Sequence, residues 1–369
     1  MSIVYLNESH SPLPSTLEIN EAPWAFHRKL PDYEPTPLVP TPALAQSLGV
    51  GELLVKDESR RFGMPSFKLL GASWATYRAL TEQYGVDDAD WADIPELRAR
   101  CEALRPFTLA AATDGNHGRA VARMAALLGF ECRVFVPQGT ARARICAIES
   151  EGASCTVVEG DYDAAVARSA EEAGPQTLVV DDTSWPGYEE IPRFVIEGYA
   201  TIFYEIEAQL TGAVDTVVVP LGVGALGAAA VDFFKRKTSA RVIGVEPLSC
   251  ACVLQSIRAG EVTTVPGPHP SIMAGLNCGT PSPIAFPTLA AGLDALVAIE
   301  DSFAEQSMRS LAAAGITSGE TGAAALGGLS AAMASSTELG IGRDSHVVVL
   351  STEGATDPES YRRIVTDAR

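Results

Sequence analysis

From about residue 50 the chain alternates two kinds of segment. Short runs of β-branched and small apolar residues are followed by longer stretches whose apolar positions recur at helical spacing. "ELLVKDES" precedes "SFKLLGASWATYRALTEQYG", "FTLAAA" precedes a predicted helix near 118–128, and "ECRVFVP" precedes "ARARICAIESEG". "ASCTVVEG", "QTLVVDD", "VDTVVVP", "ARVIGVEP" and "HVVVLSTEGATDP" continue the series, and the stretch before the last of these reads as helical. Apolar runs too short for a helix, separated by amphipathic helices, predict strands buried on both faces. The expectation is an α/β fold with open, twisted, mostly parallel sheets flanked by helices. A length of 369 residues implies two domains or one large unit with an insertion. Residues 1–35, rich in Pro, Asn, Ser and charge, read as an arm with little regular structure.

Ligands of such sheets bind beyond the carboxyl ends of the strands. Three unusual turns fall there: "TDGNHG" (113–118), "GVGALG" (222–227) and "STEGAT" (351–356). The second fits G-x-G-x-x-G, and Glu246 lies about 20 residues further on, where a dinucleotide's ribose would find its acid. Glycines here let backbone N–H groups close on a phosphate at a helix start, but tight strand–helix packing would use them equally. "TDGNHG" also opens a helix, which favours anions, yet it carries Asp114. Aspartate before glycine is a common turn residue, and Asp182 in "DTSWPGY" could equally cap a helix. Lys68, between Phe67 and Leu69 and just before Gly71, is either a snorkelling side chain or a partly desolvated amine able to form an imine.

Composition narrows the partners. The formal charge is −19, from 27 basic and 46 acidic residues, which argues against nucleic acid or an anionic membrane as the main partner. No apolar run is long enough to span a bilayer, and "MSIVYLNESHSPLP" lacks the basic and apolar regions of a signal peptide. Seven scattered cysteines, the closest pair being Cys250 and Cys252, contain no CxxC unit. They suggest buried thiols in a reducing cytoplasm, and no metal site is expected.

Taken together, the motifs resemble the fold-type-II (tryptophan synthase β-like) pyridoxal 5'-phosphate (PLP) enzymes, the group of threonine dehydratase, serine racemase and cysteine synthase. "SFKLLG" is similar to the segment carrying the cofactor-linked lysine, "TDGNHG" to the Asn turn, "GVGALG" to the phosphate turn, and "STEG" to the late Ser or Thr that faces the pyridine nitrogen. A more specific resemblance is to the diaminopropionate ammonia-lyases, carried by "RFGMPSFKLLGAS", "TDGNHG", "DTSWPGY" and "STEGATDP". It runs from about residue 24 to the C-terminus. "MPSFK" is nearer the dehydratases, and Pro186 and Ala355 are small departures.

The resemblance implies PLP held between two domains. The large domain would comprise 1–70 and 195–369 with the arm 1–35, and the small one 71–194. Cofactor contacts would come from Lys68, Phe67, Asn116, Gly222, Val223, Gly224, Ala225, Leu226, Gly227, and Ser351 or Thr352. Substrate contacts would come from Thr113, Asp114, Gly115, His117 and Tyr188. The implied reaction is α,β-elimination of ammonia from D- or L-2,3-diaminopropionate to give pyruvate and ammonia. Lys68 would be the base on one face and Asp114 on the other, with Asp182 in support; His117 would line the site, and Glu320 would lie near the ring. Glu246 then becomes an ordinary strand-end acid. A homodimer is the family's assembly. The alternatives are a serine or threonine dehydratase or another β-eliminating or β-substituting PLP enzyme, and, from another class, an NAD-dependent dehydrogenase using 222–227.

Overall fold

The computed structural model describes residues 1–9, 11–17, 19–113 and 115–366. Two compact units divide the chain. One holds the described residues of Met1–Ile19, Pro35–Phe67 and Ile202–Arg369; the other holds Asn20–Glu34 and Lys68–Thr201. In chain order the strands are β1 (Ser2–Leu6), β2 (Leu38–Pro40), β3 (Glu52–Asp57), β4 (Thr108–Ala112), β5 (Glu131–Pro137) and β6 (Ser154–Val158). They continue as β7 (Thr177–Val179), β8 (Thr216–Pro220), β9 (Arg241–Pro247), β10 (Ala295–Ile299) and β11 (His346–Ser351).

In the first unit the described residues form a seven-stranded sheet in the order β1-β10-β9-β8-β11-β3-β2. The five inner strands run parallel, with Val297 opposite Val245, Val218 opposite Ile243 and Val349 opposite Val218. The edges are antiparallel: β1 pairs with β10 and β2 with β3. β8 and β10 are buried along their whole length, as expected of strands covered on both faces. Val55, Val218, Val245, Val297 and Val349 pack with Leu311 of the helix Asp301–Ala313 and Leu329 of the helix Ala324–Ala332. Each such side chain contributes about 1.5–3 kcal/mol through burial.

The second unit has a four-stranded parallel sheet, β6-β5-β4-β7. Here the helix Leu69–Glu82 crosses the helix Glu190–Gly198 at two glycines. A Cβ on Gly198 would lie 2.5 Å from the Leu70 carbonyl oxygen, and one on Gly71 would lie 2.6 Å from Tyr199 Cε1. The absent side chains let the start of the first helix touch the end of the second.

Three departures from the sequence expectations concern the arm and β10. The arm is not irregular: Ser2–Leu6 is a sheet edge and Ala22–His27 is a helix. Asn20–Glu34 clusters with the second unit because Phe26 stacks on Tyr77, with ring centroids 4.9 Å apart, and meets Trp74 and Trp91 edge-on. "ALVAI", inside a stretch read as helical, is an inner strand. The unit boundaries themselves fall after Phe67 and after Thr201.

Candidate active site

Lys68 immediately precedes the helix Leu69–Glu82, in helical backbone conformation. Its Nζ donates to Asp182 Oδ2 at 2.6 Å, and the pair is mostly shielded, with side-chain exposures of 18% and 7%. Tyr162 donates its hydroxyl to the other oxygen, Asp182 Oδ1, at 3.0 Å. Burial opposes ionisation of Asp182, but Lys68 and His117 outweigh it and hold the carboxyl well below the usual carboxylate range. Lys68 Nζ also lies 5.9 Å from the centroid of the buried Tyr199 ring, whose phenol burial pushes up. Sequence reasoning singled out Lys68 and Asp182 but neither their contact nor Tyr162 and Tyr199; a tyrosine carries no spacing signal.

The "DTSWPGY" stretch is a tight turn closed by hydrogen bonds between Trp185 and Tyr188 in both directions. Pro186 and Gly187 take its central positions, and Gly187 has φ of +87°. Trp185 and Tyr188 stack 4.0 Å apart at 13°. The Tyr188 hydroxyl accepts from Asp181 N at 2.8 Å and donates to Val179 O at 2.9 Å. It is committed to the backbone, so a substrate contact by Tyr188 would fall to its ring.

In the "TDGNHG" turn, Asp114 lies outside the described residues. Thr113 is buried; its N–H donates to Phe135 O at 2.9 Å and its Oγ1 accepts from Gly115 N at 2.8 Å. The Thr113 amide is therefore committed to β5 and the Gly115 amide to the turn itself. Gly115 has φ of +149°, and a Cβ there would crowd Arg144 Cδ at 3.0 Å. His117 is buried and bonds through Nε2 to Val180 O at 2.6 Å, so that nitrogen carries a proton.

In the first unit, the turn 222–227 joins β8 to the helix Ala225–Lys237. Gly224 has φ of +97°, and a Cβ there would lie 2.5 Å from Leu289 Cδ1, so the position demands glycine. Glu246 is not a ribose acid: its carboxylate accepts the amides of Val253 and Leu254 at 2.8 and 2.9 Å, and burial pushes its pKa up to about 8. Ser351, at the end of β11, donates to Ser318 Oγ at 2.8 Å. Thr352 Oγ1 and Glu320 Oε2 are buried and have no hydrogen-bond partner among the described residues. Gly319 N and Thr321 N both donate to Glu353, at 3.0 and 3.2 Å, which brings the Glu320 loop onto the same stretch.

These features fit PLP. A glycine turn at a helix start suits its phosphate, and an orphaned buried hydroxyl with a nearby orphaned carboxylate oxygen suits a polar ring edge. An amine poised at a helix start suits its aldehyde.

The fold and these groups define a fold-type-II PLP-dependent enzyme, with PLP as its cofactor. The model of the pyridoxal-phosphate dependent enzyme family matches residues 29–353. The diaminopropionate ammonia-lyase of Escherichia coli (strain K12) is 36% identical over 99% of this chain and 95% of its own. A crystal structure of the Escherichia coli enzyme in complex with an aminoacrylate-PLP azomethine reaction intermediate matches with a TM-score of 0.91 at 32% identity, covering 100% of this chain and 98% of that one. Its complex with D-serine matches with a TM-score of 0.92 at 33% identity and the same coverage. The chain belongs to the diaminopropionate ammonia-lyase family. The dehydrogenase alternative, which rested on 222–227 and Glu246, falls away. No helix among the described residues is long and apolar enough to cross a membrane.

Proposed function

We propose that the protein eliminates ammonia from 2,3-diaminopropionate, and that water then hydrolyses the product to pyruvate and a second ammonia. The observation that carries this reading is the 2.6 Å pair of Lys68 and Asp182 in a chain alike over its whole length to ammonia-lyases. When bound, PLP supplies a conjugated ring that takes up the electron pair left at the α-carbon.

In this reading Lys68 holds the cofactor's aldehyde carbon through its amine. Its amine, when neutral, would take the α-proton on one face. Asp182, fixed by Tyr162, orients Lys68 Nζ and balances its charge. The amides of Gly222–Gly227 take the phosphate. The Asn116 side chain takes the ring oxygen, and Thr352 the ring nitrogen, since Ser351 already serves Ser318. The substrate carboxylate sits on the first amides of the helix Asn116–Leu128. The β-nitrogen leaves as ammonia with its proton retained, because an amide ion is not a feasible leaving group. Asp114 serves as base for the D-isomer and attracts the β-ammonium. A homodimeric, cytoplasmic enzyme completes the proposal, and the buried thiols Cys101, Cys132, Cys250 and Cys252 are in keeping with a reducing compartment.

Two measurements test it. Borohydride reduction of the yellow holoenzyme should modify Lys68, as read by peptide mapping; label elsewhere would remove the assignment. 2-Oxo acid release from D- and L-diaminopropionate (pyruvate) should exceed that from serine (pyruvate) and threonine (2-oxobutyrate). Asp114→Asn should lose the D-isomer more than the L-isomer, and equal loss would remove the two-base reading.

A further inference from the structure

Four charged side chains that the proposed chemistry does not use lie fully buried in the first unit: Lys56, Glu58, Arg61 and Glu205. The Arg61 guanidinium grips both carboxylates, Glu58 through Nε at 2.8 Å and Nη2 at 2.7 Å, and Glu205 through Nη1 at 2.6 Å and Nη2 at 2.8 Å. Lys56 Nζ donates to Glu205 Oε2 and the Thr36 carbonyl, both at 2.7 Å. The Thr36 hydroxyl donates to Glu58 Oε1 at 2.5 Å and accepts from Arg61 Nη2 at 2.9 Å. Two cations and two anions balance.

Stability alone does not account for this arrangement. Buried ion pairs repay their desolvation poorly, and well-packed apolar side chains of like volume often serve as well. What the quartet does is fix a loop. Glu58 and Arg61 begin the ten-residue segment 58–67, whose next position in sequence is Lys68. Phe62, adjacent to Arg61, is buried and holds φ of +54°, a costly conformation for a bulky residue that persists only when its surroundings over-determine it. The Arg61 carbonyl accepts from Met64 N at 2.9 Å and closes that turn. Both loop ends rest on one stretch: Glu58 N donates to Ser351 O at 2.9 Å, Gly354 N to Pro65 O at 2.9 Å and Phe67 N to Thr352 O at 3.4 Å.

We propose that the Lys56–Glu58–Arg61–Glu205 quartet is a positioning device for Lys68, with Arg61 as its positioning residue. It rests on the reading of Lys68 as the cofactor-linked amine. The guanidinium fork sets the start of the loop, the Phe62 turn transmits it, and the backbone at Phe67, bonded to Thr352 O, fixes the point from which Lys68 continues. Arg61 touches neither cofactor nor substrate in this scheme, and a lysine in its place would keep the charge but lose the fork.

The test uses the holoenzyme and two variants, R61K and the milder, near-isosteric T36V, which keeps the proposal open to refutation where R61K does not fold. The readouts are the pH midpoint of the visible cofactor band, the rate at which hydroxylamine releases the cofactor, kcat and KM separately, and the urea midpoint. In variants with native-like far-ultraviolet dichroism, the band's pH midpoint should move and release should quicken. kcat should fall by about tenfold or more for R61K and less for T36V, with KM changed by no more than about twofold. A purely structural quartet would lower the urea midpoint and leave the band's pH midpoint and kcat at wild-type values; that result overturns the inference. Borohydride mapping of the wild type separates the two levels. Label away from Lys68 defeats the underlying reading, whereas label at Lys68 with unmoved variants defeats only the positioning role.

Discussion

Asp181 and Asp182 are buried neighbours with opposite shifts. Burial pushes Asp181 up to about 7, although Ser169 Oγ and Ala112 N each bond it at 2.6 Å, whereas Lys68 and His117 hold Asp182 far down. Among the described residues a cation lies beside Asp182 and none is among the causes acting on Asp181, which decides the difference. Asp182 therefore stays ionised throughout the working range, so the acidic limb of kcat against pH does not report it. Asp182→Asn should lower kcat by about 10²-fold and leave the shape of that limb unchanged; a limb that disappears with the substitution would reassign it. Lys68 and Asp182, which the structure pairs, each stood out in a motif. Their partners did not, since Asp182 meets Lys68 across 114 positions and only the folded chain brings Tyr162 to its other oxygen.

Among the elements, the strands that stood out in sequence were those with β-branched runs between turn residues, such as "TVVVP" and "HVVVLS". "ALVAI" was hidden because a strand buried on both faces has no alternation, and its Ala-rich surroundings continue a helical composition. β1 was hidden because its partner, β10, is formed by residues near 300. The close helix crossing depends on Gly71, whose added methyl would press on Tyr199 Cε1 and Val195 Cγ1 at 2.6 and 2.7 Å. Gly71→Ala should cost about 1–3 kcal/mol through overpacking, read as a lower urea midpoint. Because Tyr199 flanks Lys68, the visible band should shift as well. An unchanged midpoint would show that the crossing relaxes freely.

For the whole molecule, two buried carboxyls make stability fall as pH rises from weak acid to about 8. Asp181 and Glu246 have native pKa values of about 7 and about 8, above their ordinary values of 3.8 and 4.5. The folded state thus binds more protons than the unfolded one between those limits. The stabilisation is complete below the ordinary values and is lost as pH rises through 7 and 8. Urea midpoints should drop between pH 6 and pH 9, and the double variant Asp181→Asn, Glu246→Gln should flatten that slope. A slope equal to wild type would place the titration elsewhere. The α/β class, the parallel order and the three turns were legible because they are local patterns. The buried quartet was not, since Lys56, Glu58, Arg61 and Glu205 read as surface charges until tertiary structure pairs them.

The route of the chain has a consequence for its synthesis. It enters the first unit with β1, leaves for Asn20–Glu34, returns at Pro35 and leaves again at Lys68 before its last entry at Ile202. The second unit thus has every residue it needs once Thr201 has been made. β3, by contrast, is completed early but waits for its parallel partner β11, the last strand among the described residues. On the ribosome the smaller sheet can close first, while the larger one stays open, with β2 and β3 paired along a single edge, until β11 has emerged.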